Sequence, residues 1–139
     1  MYYAVIDTNV LVSALLSASF FKSAPGKIVS HIITGEIIPV YNEEILTEYY
    51  DVLKRDKFHF PTDRIEQLIE EIKKRGIHEI RLASGELFPD PDDAVFFEVV
   101  LAHRTQEDTY LVTGNTRHFP IKPFVVTPRQ MLEIIENGY

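Results

Sequence analysis

Short apolar runs alternate with helix-period segments along the whole chain, and no other feature restricts the fold as strongly. Residues 3–6, 37–41, 77–82, 110–113 and 124–126 have the length and the β-branched or aromatic content of strands. Between them, apolar residues recur at helical spacing: Val10, Leu11, Ala14 and Leu15; then Ile28, Val29, Ile32 and Ile33. The same spacing returns at Ile45, Tyr49, Val52 and Leu53, at Ile65, Leu68, Ile69 and Ile72, at Phe96, Val99 and Val100, and at Met131, Leu132, Ile134 and Ile135. Boundary signals agree with this division. Pro25 and Pro128 stand at helix openings, Asn42 and Thr62 at N-termini, and Gly35 and Gly76 follow the last apolar residue of a segment. Strands alternating with helices predict an α/β fold with a mostly parallel sheet covered on both faces. Pro39 places the run 37–41 near an edge or a strand end. Phe20, Phe21, Phe58 and Phe60 fall outside the periodic segments and belong to the core or to an interface.

With 139 residues and no linker, repeat or low-complexity stretch, the whole chain, residues 1–139, reads as one domain. Fourteen Lys+Arg against 21 Asp+Glu give a net charge of −7, which argues against charge-driven, non-specific nucleic-acid binding. Any phosphate handled by such a chain needs bound cations or local Lys and Arg. The absence of Cys excludes disulfides, Cys-ligated zinc and a thiol nucleophile. The N-terminus meets Asp7 too early for a signal peptide, and no apolar run is long enough to span a bilayer, so a soluble, cytoplasmic protein is expected.

In a parallel sheet, ligands gather beyond the carboxyl ends of the strands. Asp7 and Asn115 both stand where an expected strand gives way to a turn. Asp7 is either a carboxylate fixed at a metal site or a turn former and N-cap, since Asp7-Thr8-Asn9 suits both. Glu48 lies at the margin of an apolar helical stripe, from which it reaches either a cleft or solvent. Asp90, Asp92 and Asp93 with Pro91 make a good helix start. Three carboxylates in four residues nevertheless exceed what capping needs, and a divalent cation bound through oxygen relieves their repulsion. Asn115 either turns the chain or helps place a water, and His118 beside Phe119-Pro120 is a general base or a local packing residue. Phosphate-binding Gly-rich loops, a GxSxG nucleophile elbow and an HExxH zinc helix are all absent.

Taken in order, the motifs resemble those of PIN-domain proteins. Val5-Ile6-Asp7-Thr8-Asn9-Val10-Leu11 opens the chain, and the segment from Glu44 through Glu48 to Leu53 follows. Asp90-Pro91-Asp92-Asp93 then precedes an apolar helix, and Leu111-Val112-Thr113-Gly114-Asn115 closes the series. The chain is most similar to bacterial and archaeal members classed as toxins of toxin–antitoxin pairs. That resemblance implies a three-layer α/β/α sandwich and a divalent-metal-dependent ribonuclease using Mg²⁺ or Mn²⁺. It implies Asp7, Glu48 and Asp93 as the acidic residues that hold metal, with Asn115 at a fourth catalytic position that is acidic in many members. Thr8, Asn9, Asp90, Asp92 and Thr113 are implied in support. A protein antitoxin and a homodimer are implied as partners alongside RNA. Lys54, Arg55, Lys57, Arg104 and Arg117 are candidates for holding the RNA backbone, Arg117 foremost because it lies two positions beyond Asn115. A PIN fold that binds RNA or a protein without cutting is the competing reading. A haloacid-dehalogenase-type phosphohydrolase is disfavoured, because Asn9 stands where its second Asp belongs.

Overall fold

The computed structural model describes residues 1–138. Its strands are β1 (Tyr2–Ile6), β2 (Ile37–Tyr41), β3 (Ile77–His78), β4 (Thr109–Val112) and β5 (Val125–Val126). The helices are α1 (Thr8–Leu16), α2 (Ala24–Thr34), α3 (Glu43–Leu53), α4 (Thr62–Arg75), α5 (Ala94–His103) and α6 (Pro128–Asn137). All five strands join one sheet in the order β3–β2–β1–β4–β5, and every pairing is parallel.

A parallel sheet must be covered on both faces, and β1 shows that it is. Successive side chains on a strand point to opposite faces, yet Ala4, Val5 and Ile6 are all buried. Helix α5 packs on β1, β2 and β4, while α2 lies against β2 and touches α1, α4 and α6. Five of the first seven residues of α5 are buried apolar side chains, Val95, Phe96, Phe97, Val99 and Val100, as expected of a central helix. Each such residue contributes about 1.5–3 kcal/mol by leaving water. Helix starts follow the sequence signals. The Ser23 hydroxyl accepts the Gly26 N–H at 3.1 Å and the Asn42 carboxamide accepts the Ile45 N–H at 2.9 Å. Thr127 and Gln130 cap one another reciprocally.

Two departures from the sequence reading have physical causes. Residues 77–82 alternate like a strand, but β3 holds only Ile77 and His78. Its partner β2 ends at Tyr41, because Asn42 opens α3; after the Glu79 N–H reaches the Tyr41 carbonyl at 2.8 Å there is no strand left to pair with. Pro39, expected near an edge or a strand end, lies midway along an interior strand. Pairing with β3 begins only at Val40, so the missing N–H of Pro39 leaves no bond to β3 unmade. A glycine is required beside it: a Cβ on Gly76 would stand 2.4 Å from the Pro39 carbonyl oxygen. Of the four unplaced phenylalanines, Phe20, Phe58 and Phe60 are half-buried, whereas Phe21 is 79% exposed.

Strand order also fixes where a site can form. From β1 the chain builds β2 and β3 on one side, then returns to build β4 and β5 on the other. The connections part beyond the carboxyl ends of β1 and β4, leaving a crevice. Ile6 is in register with Val112, which places Asp7 and Thr113 side by side at its floor.

Candidate active site

The Asp7 N–H continues the ladder to the Val112 carbonyl at 2.9 Å, and its side chain is only 6% exposed. Although it immediately precedes α1, Asp7 does not cap that helix. Its carboxylate instead accepts the Thr113 hydroxyl at 2.8 Å. The Thr113 oxygen in turn accepts the Asn115 N–H at 3.0 Å, and Asn9 accepts the Gly114 N–H at 3.1 Å. These bonds stitch the turn after β1 to the turn after β4.

A cleft of about 350 Å³ opens over Asp7. Thr8, Asn9, Glu48, Asp90, Asp92, Asp93 and His118 line it, together with Val12, Val52, Arg55 and Phe58. Acidic residues from three distant segments therefore face one space. Glu48 is placed there by its neighbour: the buried Tyr49 hydroxyl donates to the Ile6 carbonyl at 2.5 Å, tying α3 to the end of β1. Burial, and then the charges of Asp7 and Glu48, hold that phenol protonated.

Within the acidic run the roles divide. Asp90 accepts the Asp92 N–H at 3.0 Å and so caps the single turn Pro91–Asp93. Asp93 stands just before α5 without capping it, and its side chain is 18% exposed. Desolvation, then the charges of Asp7 and Asp90, push its pKa from 3.8 to about 6, with Glu48 adding and His118 opposing. Asp7 is raised as well, chiefly by burial and further by Glu48, against the bonds from Thr113 and the Thr8 backbone. Burial raises both carboxyls first, and the neighbouring carboxylates add to the rise.

Asn115 does not line the cleft; its amide nitrogen lies 3.0 Å from His118 Nε2. His118 Nδ1 is in turn 3.6 Å from an Asp93 oxygen. With the Asn115 amide donating, the ring proton sits on Nδ1 and faces Asp93. Asn115 thus reaches the acidic residues through His118, a chain that sequence spacing alone does not disclose. Arg117 lines a different cleft, with Phe119, Ile121 and Lys122. Arg104 is engaged elsewhere: it donates to the Thr109 carbonyl at 2.7 Å, pairs with Asp108 at 3.1 Å and lies over the Phe124 ring. Arg55 is the cation on the acidic cleft, and Phe58, expected in the core or at an interface, lies beside it on the cleft wall. The available signal was the interleaving of Lys54, Arg55 and Lys57 with Phe58 and Phe60.

The cleft offers hard oxygen donors, the chemistry that suits Mg²⁺ or Mn²⁺. Thr8 adds a buried hydroxyl oxygen with no hydrogen-bond partner among the described residues. Among those residues no three His, Asp or Glu side chains are gathered closely enough to enclose an ion. In donor type and charge the residues fit a divalent cation.

A family model described as a PIN domain matches residues 3–117. The chain belongs to the PIN-domain family. Comparison with curated proteins and with solved structures gives no match. The matched span runs from β1 past Asn115 and contains every carboxylate of the cleft. A PIN domain is a nuclease fold, and its members generally use divalent metal ions and act on RNA. Among the described residues no helix is long and apolar enough to cross a membrane.

Proposed function

We propose that this PIN domain is a divalent-metal-dependent endoribonuclease that hydrolyses RNA phosphodiester bonds in the Asp7 cleft, with Mg²⁺ or Mn²⁺. One observation carries most of the weight: Asp7, Glu48 and Asp93 share one cleft, where burial and then the neighbouring carboxylates push Asp93 to about 6. A cation relieves that repulsion and at the same time lets an acidic protein accept a phosphate. Asp7 and Asp93 are the principal ligands in this scheme, Glu48 ligates or orients the attacking water, and Asp90, Asp92 and Thr8 support them. When bound, the cation supplies charge stabilisation at the phosphate and lowers the pKa of water. The chain does the rest. Thr113 holds Asp7 in one orientation, Asn115 orients His118, and the His118 N–H offsets the charge of Asp93. Arg55 brings the positive charge that a phosphate requires.

The motif resemblance extends the proposal to the toxin of a type II toxin–antitoxin pair, a cytoplasmic homodimer restrained by a protein antitoxin. Co-purification with the product of a neighbouring gene and sedimentation of the isolated chain test those two parts.

The deciding experiment is cleavage of single-stranded RNA with Mg²⁺ or Mn²⁺, comparing wild type with the Asp7→Asn/Asp93→Asn variant. Metal-dependent cutting by wild type alone is the expected result; equal cutting by both would refute the site. A second reading, a PIN protein that binds RNA or a partner without cutting it, is favoured by the neutral Asn115 carboxamide, which is engaged with His118 outside the cleft. Metal binding and RNA binding without turnover would establish it.

A further inference from the structure

Two of the residues lining the acidic cleft come from the segment between α3 and α4: Arg55 and Phe58. The local sequence is Lys54-Arg55-Asp56-Lys57-Phe58-His59-Phe60. Residues Asp56–Phe58 form one tight turn, which His59 ends in the left-handed conformation at φ 56°. Such a φ is uncommon for a side-chain-bearing residue and implies that the surrounding structure holds it. Its effect here is to lay Phe58 against Phe60, with ring centroids 5.3 Å apart and planes 10° from parallel. Phe60 packs on the core, so it backs the outer ring rigidly. Phe58 remains half-buried and forms part of the cleft wall.

The charges around it are uncommitted. Lys54, Arg55 and Lys57 are exposed, and among the described residues none forms an ion pair. The Lys57 ammonium rests 5.1 Å from the Phe58 centroid and the Lys54 ammonium 4.3 Å from that of Tyr50. Arg55 and Phe58 are the two of this set that line the cleft, and a cation beside an aromatic ring is the makeup of a single-strand binding surface, where rings stack bases and cations follow phosphates. A ring that served only to fill the core would not open onto a cleft of carboxylates.

We propose that Phe58 and Arg55 form a nucleotide subsite beside the acidic residues: an unpaired base of single-stranded nucleic acid stacks on Phe58, and Arg55 pairs with the adjoining phosphate. The inference rests on the reading of this cleft as the place where nucleic acid is handled. An arriving base displaces Lys57, whose flexible stem lets the ammonium move to a phosphate. In a duplex both faces of a base are already stacked, so the subsite selects an unpaired nucleotide. Every base has a π-face, so it selects strandedness rather than sequence.

The chain contains no Trp, so Phe58→Trp places a single tryptophan at the subsite, which can be excited apart from the seven tyrosines. With Ca²⁺ present, titration with a short single-stranded RNA is expected to quench that Trp at least tenfold more readily than the same RNA annealed to its complement. Absent quenching, or equal quenching by the duplex, overturns the proposal. In cleavage assays Phe58→Ala and Phe58→Leu should each raise KM by about 5- to 150-fold, the range for losing one stacked base, while Phe58→Tyr restores it. Leu keeps apolar volume against Phe60, so its failure to rescue separates stacking from packing. Arg55→Ala should also raise KM and flatten the salt dependence. Metal-dependent cutting that stops in Asp7→Asn but is indifferent to Phe58→Leu would refute the subsite and leave the nuclease standing. Strand-selective quenching without cutting would support the subsite and refute the nuclease.

Discussion

In the cation-free protein, Asp93→Asn is expected to stabilise the fold at neutral pH. The folded-state pKa of Asp93 is about 6 against an ordinary 3.8, so between those values the folded chain holds a proton that the unfolded chain releases. Stability therefore falls as pH rises through that window, and the full cost is present above pH 6. A rise of that size is worth at most about 3 kcal/mol. Because Asp7 and Asp90 share the repulsion and the side chain keeps 18% exposure, about 1.5–3 kcal/mol is the working range. For a chain of this length that is roughly 5–10 °C in Tm. Thermal unfolding in EDTA near pH 7.5 and near pH 4 reads it directly. The substitution removes the charge at the higher pH and changes little at the lower one, where the folded wild type is already protonated. A variant no more stable than wild type near pH 7.5 would refute the electrostatic account. An equal gain at both pH values would assign the effect to packing instead.

Saturating Mn²⁺ should raise the Tm of wild type, by about 2.7 kcal/mol of stability at a hundredfold excess over Kd. Asp7→Asn should lose most of that gain, and an unchanged gain would place the cation elsewhere. Thr113→Val removes the hydroxyl that holds the Asp7 pKa down and is expected to cost about 1–3 kcal/mol. It should also shift Mn²⁺ binding to higher pH, measurable by titration calorimetry across a pH series. Tyr49→Phe strands the Ile6 carbonyl and should destabilise by about 1–3 kcal/mol in urea unfolding, with a smaller Mn²⁺ response because Glu48 loses its anchor. Gly76→Ala forces a methyl against the Pro39 carbonyl and is expected to cost at least about 1–3 kcal/mol, read as a lower urea midpoint.

Much of the architecture is legible in local pattern, because parallel strands buried on both faces are continuous apolar runs and α2, α3 and α6 carry side-chain caps. The misread strand 77–82 shows the limit. Its alternation is real, but strand length depends on a partner that ends at Tyr41, more than thirty residues away in sequence. The site divides in the same way. Asp7 as cap or as site residue is undecidable from Asp7-Thr8-Asn9, since what frees its carboxylate is the hydroxyl of Thr113, 106 positions on. In the run Asp90–Asp93, hydrogen bonds separate the capping residue from the unbonded one, and composition treats the three acids alike. Arg117 and His118 are neighbours in sequence, yet the tight turn at residues 116–118 sends His118 to the acidic cleft and Arg117 to another. Phe58 was hidden for a plainer reason: a phenylalanine without periodic neighbours looks the same whether it fills a core or walls a cleft.

The strand order has a consequence for synthesis. The segment carrying β1, β2 and α3 emerges early, whereas β4, which covers the second edge of β1, begins only at Thr109. Synthesis delivers the chain from its N-terminus at about 5–20 residues per second, ahead of the domain's folding as a unit. Until β4 emerges, β1 has no partner for its second edge, and an unpaired row of peptide groups invites other chains. Asp7 meanwhile lacks Thr113, and Asp93 has no settled crevice to enter. The segment from Thr109 onward thus completes the site and closes the sheet in one event, so a nascent or truncated chain ending before Thr109 has neither.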